Sequence, residues 1–287
     1  MSKTPTNLQH TDALPINDTA ARRHLTLLAL KVTARFYKWD GPCVPLSRRI
    51  MVKTDESIGL TEAATMAFIA ARTSIPVPRV HCSFVHKDKT YMVMERIRGK
   101  TLAAAWPTLS EPELDDILTQ LRDMLKELRA LPAPGVAIES CVGASLHDFR
   151  IPWSKTRFGP FPCIRAFHFW LRQGLRPDEH HPQRVSDEEW ADIKRMVAMQ
   201  DEDKDWGPPV FTHGDLNPFN IMVRDGRIVA IIDWEFAGWY PYYWEYTSAF
   251  LGNKIRGAWQ KLIPKFIEPC PDELQMETIR QRWWGDF

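Results

Sequence analysis

The sequence lacks three features that define other classes of protein. Its 37 basic and 36 acidic residues leave a formal net charge of +1, so no excess of positive charge predicts a nucleic-acid partner. Its apolar runs are short: residues 25–30 fall far below the roughly 20 residues that cross a bilayer, and no membrane partner is expected. Its cysteines are odd in number and lack metal-ligand spacing, which predicts reduced thiols in a cytoplasmic protein. They are Cys43, Cys82, Cys141, Cys163 and Cys270.

What is present fits a folded chain with a substantial core. At 287 residues and 44% hydrophobic content, the chain can form one two-lobed unit or two small domains. Residues 1–19 are too polar and acidic for a secretory signal, and residues 1–20 are predicted to be a disordered tail. A monomer is expected.

Periodicity and capping signals predict several helices. One helix is expected over residues 20–37, and a second opens at Thr61 as its N-cap. The clearest helical periodicity follows a capping box at residues 110–113, which predicts a core helix. A second box at residues 186–189 predicts another helix.

The most informative segment is residues 211–220, FTHGDLNPFN. In it four residues separate Asp215 from Asn220, and Asp233 follows a downstream apolar run. Kinase catalytic loops place, at this spacing, an aspartate that accepts a hydroxyl proton and an asparagine that holds Mg²⁺. We therefore interpret Asp215 as a catalytic residue, and Asn220 with Asp233 as metal ligands.

A hairpin predicted between these residues brings the metal ligands together. Asp-Gly at residues 225–226 supplies the positive φ angles of a two-residue turn. The register counted from that turn pairs Asn220 with Ile231 and leaves Asp233 two residues further along the same face. Such diagonal neighbours lie about 7–8 Å apart, close enough for an amide oxygen and a carboxylate to share a magnesium ion.

Each part of the pattern has a simpler explanation when taken alone. His-Gly-Asp is common in turns, and a carboxylate after an apolar strand often begins a loop. Their joint occurrence favours the catalytic interpretation. His213 is expected to orient the loop through hydrogen bonds, because the base of such a site has only to accept one hydroxyl proton late in the reaction.

The motif His213-Gly-Asp215-x4-Asn220, followed by Ile-Ile-Asp233-Trp-Glu235, resembles the aminoglycoside phosphotransferase family, in the fungal branch of kinase-like small-molecule phosphotransferases. The resemblance extends over approximately residues 36–252. It implies ATP and Mg²⁺ as cofactors.

The same resemblance implies an α+β, two-lobed, protein-kinase-like fold. The small nucleotide-binding lobe, with an antiparallel sheet plus a helix, would span residues 21–94. A hinge at residues 95–99 would lead to a large, mostly helical lobe at residues 100–287 that carries the catalytic and substrate-binding residues.

Lys53 and Glu62 are the candidates for the nucleotide lobe. The resemblance implies that Lys53 contacts the α- and β-phosphates and that Glu62 holds this lysine in place. The simpler alternatives are a solvated strand lysine and a glutamate that favours a helix N-terminus. The backbone groups of Glu95 and Ile97 are implied to hold the adenine.

One element of a kinase nucleotide site is missing. No G-x-G-x-x-G run precedes Lys53, and residues 38–42 offer a single glycine. Ser47 is the only candidate for a phosphate contact from this region.

Aromatic residues and two glutamates follow Asp233. Core packing is the first interpretation of the aromatic residues, and a substrate wall is the alternative. Glu245 resembles the acidic residue that bonds back to the catalytic loop in kinase-like folds, and Glu235 is expected to support the site beside the metal ligands. The aromatic residues are Trp234, Phe236, Trp239, Tyr240, Tyr242, Tyr243 and Trp244.

The sequence therefore predicts ATP- and Mg²⁺-dependent phosphoryl transfer to a hydroxyl of a small molecule. The identity of that small molecule is left open, because fold similarity does not transfer substrate identity. One alternative is a catalytically weak or inactive kinase-like binding module, for which the missing glycine run argues. A protein kinase is disfavoured, because Trp-Glu follows Asp233 where such enzymes have Phe-Gly, and no Ala-Pro-Glu segment follows.

Overall fold

The fold combines an antiparallel sheet near the N-terminus with a larger, mostly helical part, as predicted from the sequence. The structure is a computed structural model. It describes residues 13–33, 36, 41–55, 59–152, 157–176, 185–202, 205–252 and 257–285.

The helices and strands occur in groups along the chain. The described helices are α1 (Ala20–Thr33), α2 (Leu60–Arg72), α3 (Leu102–Ala105), α4 (Glu111–Arg129), α5 (Ile164–Leu171), α6 (Asp187–Asp201), α7 (Trp244–Leu251), α8 (Gly257–Leu262) and α9 (Pro271–Trp284). The described strands are β1 (Cys43–Pro45), β2 (Ile50–Asp55), β3 (Val80–His86), β4 (Lys89–Glu95), β5 (Lys100–Thr101), β6 (Val210–Thr212), β7 (Ile221–Arg224), β8 (Arg227–Ile231) and β9 (Gly238–Tyr240).

The four-stranded sheet has the order β1-β2-β4-β3, with antiparallel neighbours. Successive side chains of a strand point to opposite faces. Val52 is therefore buried with Phe84 in a small cluster on one face, whereas Lys53 faces the other way, opposite Met92 of β4. Met92 belongs to the main core with Met66 of α2. The sheet thus presents Lys53 towards α2 and the rest of the molecule.

The N-terminal segment differs from its predicted disorder. Residues 1–12 lie outside the described residues, but residues 13–19 run beside β3. The backbone N–H of Ile16 donates to Ser83 Oγ at 3.0 Å, and the N–H of Ser83 donates to the carbonyl of Ile16 at 2.9 Å. Helix α1 begins at the predicted residue, Ala20, and ends at Thr33; residue 37, its predicted end, lies outside the described residues.

Helix α2 begins before its predicted N-cap. Gly59 is the capping residue, with extended backbone, and Thr61 lies inside the first turn. The reason is burial: Leu60 is fully buried, so apolar packing and not a capping hydroxyl sets the start of the helix.

Helix α4 confirms the strongest helical prediction. Both bonds of its capping box form between Ser110 and Glu113, and its apolar stripe is buried in the main core. Gln120 of α4 also holds the β7–β8 turn, since its side chain donates to the carbonyl of Gly226 and accepts from the N–H of Ile228, both at 3.0 Å. The second capping box, Ser186 with Glu189, forms at the start of α6.

The β7–β8 hairpin has the predicted turn. Asp225 and Gly226 both adopt left-handed φ angles, of 51° and 73°, and the flanking residues Arg224 and Arg227 pair as expected. This conformation matches the right-handed twist of the two strands.

The predicted register is wrong further from the turn. A β-bulge at Val229 shifts the pairing, so that Ile221 and not Asn220 lies opposite Ile231. Any residue of an apolar strand can be the extra one in a bulge, so the composition of the run gives no sign of it. The N–H of Ile232 consequently donates to the carbonyl of Asn220 at 2.9 Å, which brings Asp233 next to Asn220 at the end of the hairpin.

Within the described part of the chain, the helices are too short or too polar to cross a membrane.

The turn conformation can be tested with Gly226→Ala. A Cβ at this position meets nothing within 4 Å, so the substitution changes only the backbone preference. We expect a loss of about 1–2 kcal/mol in the free energy of unfolding, because a left-handed φ is strained for an L-residue with a side chain. Urea unfolding would measure it. Gly135→Ala is the matched control, since Gly135 is equally open but has no left-handed φ; equal stability of the two variants would contradict the turn.

Candidate active site

The loop between β6 and β7 immobilises Asp215 by hydrogen bonds from asparagine side chains. Asn217 Nδ2 donates to Asp215 Oδ1 at 3.0 Å, and Asn220 Nδ2 donates to Asp215 Oδ2 at 2.8 Å. Burial raises the pKa of Asp215, and nearby His213 and Arg150, with the two asparagine hydrogen bonds, oppose that rise. The carboxylate is therefore oriented by groups of the chain itself.

His213 uses both ring nitrogens inside the loop. Nδ1 accepts from the backbone N–H of Asp215 at 3.2 Å, so Nε2 is the donor to the carbonyl of Ile232 at 3.0 Å. This second bond joins the loop to the residue before Asp233. With its two nitrogens occupied in this way, His213 fixes the loop to the hairpin end.

Glu245, from the first turn of α7, binds the loop from the other side. Its buried carboxylate accepts from the backbone N–H of His213 at 2.6 Å and of Gly214 at 3.2 Å. Gly214 has a φ of +85°, and a Cβ there would lie 2.8 Å from the carbonyl oxygen of Phe236. The loop therefore needs a glycine at this position, both for its backbone angle and for the close approach of Phe236.

A buried ammonium group is shared between the sheet, α2 and the hairpin end. Lys53 Nζ lies 2.9 Å from both carboxylate oxygens of Glu62 and 2.6 Å from Asp233 Oδ1. Burial alone would lower the pKa of Lys53, but the charges of Glu62, Asp233 and Glu235 raise it above its ordinary value. The lysine is thus charged and is not the solvated strand lysine of the simpler interpretation.

The carboxylates around Lys53 form a candidate cation site. One oxygen from each of Glu62, Asp233 and Glu235 lies within 4.8 Å of the others. Glu62 is bound by Lys53 through both oxygens, which leaves Asp233 and Glu235 as the more accessible donors. Asn220 binds Asp215 through its amide nitrogen and not through its oxygen. Carboxylate and amide oxygens are ligands that suit Mg²⁺.

Glu235 is more central than the sequence suggested. Burial, followed by the effects of its charged neighbours, raises the pKa of Glu235 to about 7, although Lys53 opposes the rise. Asp233 itself has a left-handed φ of 68°, an uncommon angle for a non-glycine residue, often found where structure is constrained by function.

A cavity of about 590 Å³ opens between the sheet and the hairpin, a volume typical of ligand sites. Lys53 and Asp233 lie in its wall, and the end of β4 forms its rim. Its lining residues are Gly41, Pro42, Cys43, Met51, Lys53, Glu62, Met66, Pro78, Met94, Glu95, Arg96, Ile97, Thr101, Phe219, Met222, Ile232 and Asp233.

The structure brings Glu95 and Ile97 to this cavity but does not bring Ser47 there. Ser47 lies in the β1–β2 turn near Arg96, and its hydroxyl accepts from the backbone N–H of Arg49 and Ile50, both at 3.1 Å. This position corrects the expectation that Ser47 contacts a phosphate. A serine in a tight turn satisfies the turn's own backbone, and β2 separates that turn from Lys53.

The cavity is instead lined by Gly41 and Pro42, to which the sequence analysis assigned no role. The carbonyl of Pro42 accepts from the N–H of Thr54 at 2.9 Å, so this pair lies beside the Lys53 end of β2. Gly41 has a φ of +55° and open space around it. The single glycine before the sheet was the feature of the sequence that could have pointed to this part of the cavity.

A second missed group lies near Asp215, outside the lining of the cavity. Asp148 and Arg150 form a buried ion pair there, and the rings of Phe149 and Phe236 are in tilted contact with their centres 5.1 Å apart. His147 lies 5.2 Å from the same ring, and burial lowers the pKa of His147. This segment has no helical or strand periodicity by which it could have been found from the sequence.

Core packing, the first interpretation of the aromatic residues after Asp233, is confirmed for most of them. Six are buried; two of them belong to the main core and three to a second core cluster that includes residues of α5, α6 and α9. These six are Trp234, Phe236, Trp239, Tyr240, Tyr243 and Trp244.

Residues 18–266 match the model of the phosphotransferase enzyme family, which includes the aminoglycoside phosphotransferases. This is most of the chain. The chain belongs to this family.

Solved aminoglycoside phosphotransferases share the fold of this family member. The structure of APH(4)-Ia superposes with a TM-score of 0.61 and 16% identity, over 90% of this chain and 88% of that chain. A ternary complex of a thermostable mutant of the same enzyme with ADP and hygromycin B gives a TM-score of 0.59 and 15% identity, over 88% of each chain. The gentamicin complex of APH(2")-IIa gives 0.53 and 15%, over 92% of this chain and 86% of that one. At these identities the likeness concerns the fold alone.

Curated relatives come from Aspergillus fumigatus. Two strains each contain a subtelomeric hrmA-associated cluster protein that is 32% identical over 139 residues. The match covers 44% of this chain and only 25% of each relative. The matched segment, less than half of this chain, thus spans about a quarter of the length of those relatives.

Glu245→Gln tests the anchoring of the catalytic loop. The new amide cannot accept from both buried N–H groups as the carboxylate does, so we expect a loss of about 1–3 kcal/mol in the free energy of unfolding. Chemical denaturation would measure it. Glu188→Gln, in the exposed first turn of α6, is the matched control and should change stability by less than about 0.5 kcal/mol. If both variants were equally stable, Glu245 would not anchor the loop.

Proposed function

We propose that this protein transfers the γ-phosphoryl group of ATP to a hydroxyl group of a small molecule, with Mg²⁺ as the metal. One observation carries the proposal: Lys53, held by Glu62, meets Asp233 in the wall of a 590 Å³ cavity, and the Asp215–Asn220 loop joins the same hairpin end. This combination of groups is what phosphoryl transfer requires.

The nucleotide occupies the cavity in this proposal. The adenine lies against the backbone of Glu95 and Ile97, in the hinge at residues 95–99, and the phosphates extend towards Lys53. Lys53 then contacts the α- and β-phosphates, and Glu62 keeps the ammonium in place. Gly41 and Pro42 take the position next to the phosphates that the sequence assigned to Ser47.

Asn220, Asp233 and Glu235 would hold the metal. When bound, Mg²⁺ neutralises charge on the phosphate oxygens. Asp233 forms an ion pair with Lys53 in this structure. When Mg²⁺-nucleotide binds, the Asp233 carboxylate would be shared between the lysine and the cation.

Asp215 acts on the acceptor. The acceptor oxygen forms a bond to the γ-phosphorus while the bond from that phosphorus to the ADP oxygen breaks, and the hydroxyl proton passes to the Asp215 carboxylate. Asn217 and Asn220 hold the carboxylate in the orientation that this transfer needs. Positioning the acceptor against a fixed base supplies much of the rate enhancement.

Asp215→Asn tests the proposed base. The substitution hardly changes volume but removes the proton acceptor, so we expect kcat to fall by about 10²–10⁴-fold while Mg²⁺-ATP affinity stays close to that of the wild type. Phosphate transfer from labelled ATP to a metabolite pool, and calorimetric titration of Mg²⁺-ATP, would measure the two quantities. Unchanged turnover would reject the assignment. Mg²⁺-ATP binding with no transfer in the wild type would instead indicate a binding module.

Lys53→Met and Glu62→Gln test the nucleotide lobe. We expect kcat/KM for ATP to fall by about 10–100-fold in the first variant, since a charged hydrogen bond to phosphate contributes about 1.5–3 kcal/mol. Glu62→Gln should cause a smaller loss, because Lys53 remains but is less well held. Circular dichroism would confirm that both variants are folded.

In the double-mutant cycle the two losses should be non-additive, since a glutamate that positions a lysine contributes little once the lysine is gone. Strictly additive losses would show that the two residues act independently on the nucleotide.

A further inference from the structure

A guanidinium group with a fixed orientation lies near Asp215. Arg150 Nε donates to Asp148 Oδ1 at 2.8 Å, and Nη2 donates to Asp148 Oδ2. Asp148 is buried, and the backbone N–H of Arg150 also donates to its Oδ1 at 2.9 Å. Two parallel bonds from a planar fork to one carboxylate fix the guanidinium in both distance and direction.

The Nη1 group of this guanidinium is available to donate to a ligand. Among the described residues, no group accepts a hydrogen bond from Arg150 Nη1, although the side chain is only 8% exposed. One face of the guanidinium is covered by Trp244, whose ring centre lies 5.4 Å from Cζ. An arginine desolvated on its face and bound on one edge gains most from an oxygen acceptor on its remaining edge.

Arg150 lies near the proposed reaction centre. The charges of Arg150 and Asp215 act on each other. The neighbouring residue Phe149 contacts Phe236 with a tilted ring, and Phe236 in turn packs against Gly214 immediately before Asp215. Phe149 is 53% exposed although it touches a buried ring. It therefore offers an apolar surface within one side chain of the catalytic loop.

These groups do not resemble a site for a polycation. Multiple ammonium groups require carboxylates or carbonyls that are free to accept, whereas the carboxylate of Asp148 is already bound by Arg150. His147, beside Phe149, is held towards its neutral form by burial, which lowers its pKa. The described residues of segment 147–150 therefore combine a cationic donor edge with aromatic surface.

We propose that the acceptor is a hydroxylated compound with a flat apolar ring and a carboxylate, in which the carboxylate binds Arg150 Nη1 and the ring lies on Phe149. This inference rests on the proposed function. It makes Arg150 and Phe149 specificity-determining residues, and Asp148 the residue that positions Arg150.

Three model compounds test the proposal: para-(hydroxymethyl)benzoate, para-(hydroxymethyl)benzamide and para-(hydroxymethyl)benzylamine. They share one ring and one primary hydroxyl and differ in charge. Their binding to the full chain in the presence of Mg²⁺-ADP would be measured by saturation-transfer NMR at millimolar concentration. We expect the benzoate to bind about tenfold more tightly than the benzylamine, the amount expected for one charge-assisted hydrogen bond. Equal binding, tighter binding of the benzylamine, or no binding of the benzoate would overturn the proposal.

Arg150→Lys separates the role of the guanidinium from that of charge alone. The variant can keep an ion pair with Asp148 but loses the planar fork, so the preference for the benzoate should fall towards one while Mg²⁺-ADP affinity is retained. If Arg150 instead bound the phosphates, Mg²⁺-ADP or Mg²⁺-ATP affinity would fall and the preference would remain, which would overturn the assignment to the acceptor.

Phe149→Ala tests the apolar surface without disturbing the buried ion pair. All three compounds should bind several-fold more weakly, because they share the ring. Phe169→Ala is the matched control: Phe169 is a partly exposed phenylalanine on α5, outside this segment, and its loss should leave all three affinities unchanged. Equal effects of the two substitutions would remove Phe149 from the site.

A separate measurement, the binding of Mg²⁺-ATP, tests the proposed function. Calorimetric binding of Mg²⁺-ATP that is lost in Asp233→Ala supports the nucleotide site whatever the model compounds do. A chain that binds Mg²⁺-ATP in this way but prefers the benzylamine would overturn the acceptor class alone. A chain that binds no Mg²⁺-ATP would overturn the proposed function.

Discussion

The ion pairs of one buried lysine connect the parts of this molecule that any phosphotransferase chemistry must bring together. Lys53 is on a central strand of the N-terminal sheet, Glu62 on α2 and Asp233 at the end of the β7–β8 hairpin. An unpaired buried charge is very unfavourable, so the three elements stabilise one another only when they are assembled. The position of α2 relative to the hairpin is thereby coupled to the state of Asp233, and a ligand that draws Asp233 away from Lys53 acts on both.

Local signals in the sequence predicted the parts of the fold that depend on local backbone chemistry. The Asp225-Gly226 turn and the capping boxes of α4 and α6 form as expected, because each depends on a few residues that are adjacent in sequence. The bulge at Val229 and the start of α2 at Leu60 depend on contacts made across the fold. There the predictions were wrong, by one residue in the bulge and by two residues at the N-cap of α2. In the bulge, that one residue decides how Asn220 and Asp233 meet.

The same distinction applies to the candidate site. The spacing of Asp215, Asn220 and Asp233 was readable because a short loop and a hairpin join them. Ser47 was misplaced because a position before Lys53 in sequence says nothing about which end of the strand it occupies. Arg150 reaches Asp215 from 65 positions earlier in the chain, through a segment without regular structure, and only tertiary packing shows it. Residues that choose a substrate are commonly on such loops.

Charge is distributed unevenly among the groups near Asp215. On the cavity side, the carboxylates Glu62, Asp233 and Glu235 surround a single ammonium, so the described groups there favour a nucleotide that arrives with a cation over a free one. Asp148, by contrast, is matched by Arg150, whose Nη1 has no acceptor among the described residues. Asp215 is influenced by the charge of Arg150 and is already oriented by Asn217 and Asn220. In the proposed reaction the chain itself holds the base, so the charge of the acceptor is the property on which the groups near Asp215 can discriminate most strongly.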